Sequence, residues 1–235
     1  MRNLIIALLL FFSNFIQAIT GFAGTLLAMP GMIRLTDAPT AKLVLNMIAQ
    51  ISGLMIAFPA HEYVNRKELM KMFLGVTAGM TLGILLSGVV PSAILIMVYG
   101  IFVIAVSAVR LIGKEMQTKT ALEDAAAIFA AGVAQGLFVS GGPLIVLYSS
   151  GKMKDKESIR ATIAALWVIT GFYYDFAAAF QGQYTAEIWK YTGLGILPVL
   201  FGTVCGTKIL AHVSQKAFST LTYGLLILSG VMLLV

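Results

Sequence analysis

Charge is what this chain lacks. Its 235 residues carry 16 basic and 10 acidic side chains, 11% of the total, against roughly 25% in ordinary globular proteins. A soluble surface cannot be built from that fraction. The charges also cluster between long uncharged runs, the distribution of a polytopic membrane protein. About eight such runs use nearly the whole length, which leaves no room for a separate catalytic or nucleic-acid-binding domain. The net charge of +6 then belongs to loops facing a bilayer rather than to a nucleic-acid footprint. The lone Cys205 excludes an internal disulfide and, in an apolar run, reads as a packing residue. Arg2 followed by Leu4 to Phe12 has the outline of a secretory signal. No A-x-A arrangement follows it, and the apolar pattern continues into Gly21, so the segment is read as part of the fold.

Breaks at charges, Pro and Gly give apolar segments near 3 to 33, 39 to 60, 68 to 89, 92 to 112, 125 to 150, 158 to 180, 187 to 210 and 217 to 235. At about 1.5 Å per residue most can cross a hydrocarbon core of about 30 Å as helices. They lack the alternation of barrel strands. Aligning the chain with itself at an offset of 118 brings Gln17 onto Gln135, Gly24 onto Gly142, Leu26 onto Leu144, Lys42 onto Arg160, Gly75 onto Gly193 and Gly88 onto Gly206. This divides the chain into two repeats of about four hydrophobic segments each, residues 1–118 and 119–235, within one integral membrane domain.

The cations discriminate between topologies. Eight plain crossings divide the 16 Lys and Arg residues evenly and leave the positive-inside rule silent. If segments one and five instead dip in and return, twelve cations fall on one side. The other side keeps only Arg2, Arg34, Lys42 and Lys190. The second arrangement is favoured. It predicts an all-α polytopic membrane protein of two inverted repeats, each opening with a broken or re-entrant segment, and both termini outside. Non-helical backbone at that depth persists only where it is buried in protein or lines a cavity, so the breaks mark the expected site.

The first break reads Thr20-Gly21-Phe22-Ala23-Gly24-Thr25 and is expected to end at Pro30; the second reads Ser140-Gly141-Gly142-Pro143. Glycine lets the chain turn and expose backbone N–H groups. A half-helix starting after such a turn aims its positive end at whatever sits there, which suits an oxyanion. Close helix packing through small residues is the alternative. Gln17 and Gln135 precede the breaks by matching intervals. Lys42 and Arg160, near the starts of their helices, could reach an anion, Arg160 with a planar fork of donors, or snorkel toward headgroups. Asn46, Gln50 and Gly53 follow Lys42 along one helix face and read as cavity lining, and Trp167 lies near the Arg160 face. Asp175 is the only carboxylate well inside an apolar run. It is a candidate for proton coupling, with a structural hydrogen bond as the alternative. His61 and His212 read as solvated loop residues. The chain contains no Ser-His-Asp order, Walker sequence, paired-Cys site or HExxH motif.

At these residues the chain resembles the sulfite exporter TauE/SafE family of bacterial membrane permeases. Phe15-Ile-Gln-Ala-Ile-Thr-Gly-Phe-Ala-Gly24, followed by Ala28-Met-Pro30, is similar to the family's opening glycine motif. Ser140-Gly-Gly-Pro-Leu-Ile-Val-Leu-Tyr148, then Lys156 and Arg160-Ala-Thr162, resembles the pattern of its second repeat. The likeness covers nearly the whole chain. It implies a transporter of small oxyanions, often sulfur-containing, with the glycine motifs and the helices after them at the site. Where fuller glycine runs are common in the family, this chain has Ala23 and Thr25, a departure that bears on substrate more than on fold.

The expectation is therefore a secondary transporter, not an enzyme, of sulfite or organosulfonates by alternating access in a bacterial cytoplasmic membrane. No cofactor is called for, nucleic acid is excluded as a partner, and coupled protons and the lipid bilayer complete the partner set. The substrate-binding set is Gln17, Thr20, Gly21, Gly24, Thr25, Lys42, Asn46, Gln135, Ser140, Gly141, Gly142, Arg160 and Trp167, with Asp175 for coupling. An anion channel or a membrane interaction protein without a transport cycle is the alternative.

Overall fold

The computed structural model of the chain describes residues 1–87, 120–210 and 212–234, with isolated positions between 97 and 111. The expected segment 92 to 112, with the loop cations Arg110, Lys114 and Lys119, lies largely outside the described residues. Every regular element among the described residues is helical. The helices are α1 (Arg2–Thr20), α2 (Ala23–Leu35), α3 (Ala38–Ala57), α4 (Arg66–Leu86), α5 (Ala121–Phe138), α6 (Gly142–Lys152), α7 (Lys156–Phe180), α8 (Ala186–Leu210) and α9 (Gln215–Leu234). Six of these, α1, α3, α4, α5, α7 and α8, are long and apolar enough to cross a membrane.

Local sequence sets the helix starts. Asp37 accepts the Thr40 N–H at 2.9 Å and caps α3, and Asp155 accepts the Ser158 N–H at 2.8 Å and caps α7. Asn65 and Thr120 cap α4 and α5 in the same way. The ends of α1 and α5 also match. Gly21 (φ 87°) and Val139 (φ 53°) both turn left-handed and return their N–H groups to Gln17 and Gln135. Both pairs, Asp37 with Asp155 and Gly21 with Val139, are separated by 118 residues.

Beyond each left-handed residue the chain doubles back. A Cβ on Gly24 would strike Gln17, and one on Gly31 would strike Leu9, so α2 retraces α1. In the same way α6 retraces α5 until Lys152 pairs with Asp124 at 2.8 Å. The first and fifth apolar segments are thus each two helices joined at a buried break. Pro30 does not end the first break as expected. It lies inside α2, which runs on to Leu35 at the cost of one helical hydrogen bond.

At the centre α3 and α7 run antiparallel, with Asn46 opposite Gly171 and Asp175, and Gly53 opposite Ala164 and Val168. The hairpins flank this pair. The α1–α2 hairpin packs on α8, and the α5–α6 hairpin on α4, along glycine seams. A Cβ on Gly79 would overlap the Phe129 carbonyl and one on Gly202 the Phe11 carbonyl, so the backbones touch there. Cys205, expected to be packed, is exposed on α8. In lipid the outward face of a helix is as apolar as its packed face, so an apolar run alone does not distinguish them.

Candidate functional site

The two breaks meet. Phe22, at the tip of the α1–α2 hairpin, lies against Gly142 at the start of α6, so close that a Cβ on Gly142 would sit 2.6 Å from the phenyl ring. Between the tips and the central helices is a cavity of about 10 Å³. It is lined by Gln17, Phe22, Thr25, Asn46, Ala49, Gln135, Gly142 and Trp167. Both hairpins and both central helices contribute. The space holds roughly one water molecule.

Every lining group is electrically neutral, and their hydrogen bonds determine what each offers. Gln135 uses its Oε1 to accept the Gly141 N–H at 2.9 Å, which leaves its NH₂ for the cavity. Gln17 donates from Nε2 to the Ala49 carbonyl at 3.4 Å, and one amide proton remains. Asn46 donates from Nδ2 to Asp175 at 2.7 Å and to the Gly171 carbonyl at 3.1 Å. A carboxylate and a carbonyl only accept, so they fix the orientation of this amide and leave Oδ1 to the cavity. The Thr25 hydroxyl and the Trp167 indole N–H make no hydrogen bond among the described residues. The cavity therefore presents several neutral donors together with amide and hydroxyl oxygens that can accept.

The remaining residues singled out from the sequence hold the breaks together and do not line this space. Thr20 accepts the Ala23 N–H at 3.2 Å and donates to the Ile16 carbonyl at 2.9 Å, closing the first turn. Gly21 lies against the Arg160 backbone, with Cα and carbonyl oxygen 3.2 Å from where its Cβ would be. Gly24 provides the contact with Gln17, and Ser140 donates to the Phe138 carbonyl at 3.0 Å. Of the turn N–H groups expected to meet an anion, those of Ala23 and Gly141 are satisfied within the turns.

The two cations stand one at each tip. Arg160, 3% exposed, donates from Nε to the Ala18 carbonyl, from Nη2 to Thr207 at 2.7 Å and from Nη1 to Glu157 at 3.3 Å. It caps the carbonyl end of α1, where the helix dipole favours a positive charge. The Lys42 ammonium lies 6.0 Å from the centre of the Phe138 ring, at the other tip.

Asp175 sits behind the cavity. Asn46 and Gln50 donate to it at 2.7 and 2.5 Å, and Tyr184 stands near it in the turn after α7. Burial and the neighbouring carboxylate push the Tyr184 phenol up. The face expected as a polar lining stripe divides accordingly. Asn46 reaches the cavity, while Gln50 and Gly53 meet α7.

Two lining residues escaped sequence reasoning. Phe22 stands between the glycines of the first break, and Ala49 lies three residues beyond Asn46 on the same face; those placements were the available signals. A second polar centre was also missed. Tyr148, fully buried, donates to the buried Glu68, which pairs with Lys71 at 2.8 Å. These bonds tie the returning arm α6 to α4. Neighbouring positions on α4 and α5 line a cleft of about 630 Å³. Among the described residues no three His, Cys, Asp or Glu side chains gather as metal ligands would.

A sequence model of the family described as Sulfite exporter TauE/SafE matches residues 6–233. No curated protein and no solved structure matches the chain.

Proposed function

The chain belongs to the sulfite exporter TauE/SafE family of membrane transporters, and from that premise we propose that it is a secondary permease for small oxyanions, sulfite or organosulfonates, in a bacterial cytoplasmic membrane. The observation that carries this reading is the meeting of the two hairpin tips around one closed cavity, with Gln17 from one hairpin and Gln135 from the other in its wall. In this reading residues 1–118 and 119–235 are inverted repeats. The matched caps and left-handed turns 118 residues apart, and the antiparallel α3 and α7, support it. The cation distribution agrees, because Arg66, Lys67, Lys71, Lys152, Lys154, Lys156, Lys208 and Lys216 gather at the end of the bundle where α4, α7 and α9 begin.

The anion takes hydrogen bonds from the Gln135 and Gln17 amides, the Thr25 hydroxyl and the Trp167 indole. Phe22 and Gly142 separate to open the cavity toward one side or the other. Arg160 and Lys42 hold the tips. Asp175 couples a proton to the anion, because its carboxylate repels a negative charge in the cavity and its protonated form does not.

A thermal-shift screen of the purified protein against sulfite, methanesulfonate, sulfate and acetate tests the reading. An oxyanion at a hundredfold excess over its Kd stabilises by about 2.7 kcal/mol, a rise of roughly 5–10 °C for a chain of this size. Thr25→Val and Gln135→Leu should abolish the rise. Stabilisation by none of these oxyanions would overturn the proposal.

A further inference from the structure

The lining of the cavity carries a statement about substrate charge. No formal positive charge lines it: Arg160 is committed to Ala18, Thr207 and Glu157, and Lys42 stands against Phe138 at the other tip. The formal charge linked to the wall by a hydrogen bond is negative, the Asp175 carboxylate bound to the Asn46 amide at 2.7 Å. Asn46 meanwhile offers its carbonyl oxygen to the cavity, an acceptor that repels a bare oxyanion oxygen and welcomes a hydroxyl or an apolar C–H. Phe22 and Trp167 supply aromatic surface on the same wall.

We propose that this cavity selects singly charged oxyanions carrying one non-acceptor face, such as an alkanesulfonate or hydrogen sulfite, and rejects dianions such as sulfate, with Asp175 acting through Asn46 as the specificity-determining residue. The inference rests on the oxyanion-transport reading above. The charge dependence is steep. Desolvation of an ion grows with the square of its charge, and neutral donors only partly offset it. Repulsion by Asp175 doubles as well. An anion hydrogen-bonded in the cavity lies about 8 Å from the carboxylate by the length of the Asn46 side chain and its two contacts. At an effective dielectric of about 20, each added negative charge there weakens binding roughly 30-fold. The groups near Asp175 are Asn46 and Gln50 from α3, Tyr174 beside it on α7 and Tyr184 from the turn after α7, none of them cationic.

The test is competition with labelled methanesulfonate for counterflow in proteoliposomes, at fixed ionic strength. Competitors are unlabelled methanesulfonate, sulfate, and sulfite on either side of its second dissociation. Methanesulfonate should compete at least 30-fold better than sulfate, and sulfite should compete better on the acidic side. In Asp175→Asn the methanesulfonate-to-sulfate ratio should fall about 30-fold. If that variant unfolds in detergent, Asp175→Ser removes the same charge. Equal competition by sulfate and methanesulfonate in the native protein overturns the inference while leaving oxyanion transport intact. A native preference unchanged in the charge-removing variant overturns the role of Asp175. Failure of every oxyanion to compete removes the transport reading itself.

Discussion

Replacing Arg160 by alanine separates the anion-ligand role expected from the sequence from the clamping role its contacts in the fold support. The side chain is buried and its donors reach the Ala18 carbonyl, the Thr207 hydroxyl and the Glu157 carboxylate. Hydrogen bonds from a charged donor contribute about 1.5–3 kcal/mol each. Taking the lower figure for Ala18 and Thr207, and little for Glu157, whose side chain is 29% exposed, the loss comes to about 3 kcal/mol. That lowers the unfolding midpoint by roughly 6–12 °C. Arg160→Lys keeps the positive charge at the end of α1 but not the planar fork, and should recover less than half of the loss. The assay is thermal unfolding in detergent with no anion present. A midpoint for Arg160→Ala within 2 °C of the native protein would refute the clamp, more so if the variant lost only its response to added oxyanion.

Three further substitutions follow from the geometry. Asp175→Asn removes the charge behind Asn46, so anion uptake should stop responding to an imposed proton gradient; an undiminished response in liposomes would exclude Asp175 from coupling. Tyr148→Phe leaves the buried Glu68 without its tyrosine donor and should lower stability by about 1–3 kcal/mol, read as an earlier unfolding midpoint, whereas an unchanged midpoint would mean that the bond is not formed. Gly142→Ala drives a methyl group into Phe22 and keeps the tips from closing, so it should reduce counterflow at least tenfold; native counterflow would show that closure of the tips is not part of the cycle.

The parts of the fold set by local chemistry could be read along the chain. Scarce charge and long apolar runs mark the spans, and Gly21 and Gly141 mark the breaks. Positions decided by contacts distant in sequence could not. Val139 adopts a left-handed conformation that a β-branched residue disfavours, held there by the packing of the tip, and nothing in its neighbours signals it. Pro30 looked like a terminator because an isolated helix seldom tolerates proline, yet packing against α1 carries α2 through it. Gln17, Thr25, Asn46, Gln135, Gly142 and Trp167 were recognised by polarity, by glycine or by face, and all line the cavity. Arg160 was recognised equally well as a rare charge within a helix. Sequence could not say that its partners would be the end of α1 and Thr207, because that depends on how the first hairpin docks against α7 and α8.

In the proposed function an oxyanion crosses through the space between the two hairpin tips. Counterflow in proteoliposomes preloaded with unlabelled methanesulfonate tests it most directly. The expected result is a transient accumulation of labelled methanesulfonate above its external concentration, lost in Gln135→Leu and Gly142→Ala. Equilibration without an overshoot would contradict a transport cycle and point to a channel, and overshoot undiminished in both variants would put the path of the anion elsewhere in the protein.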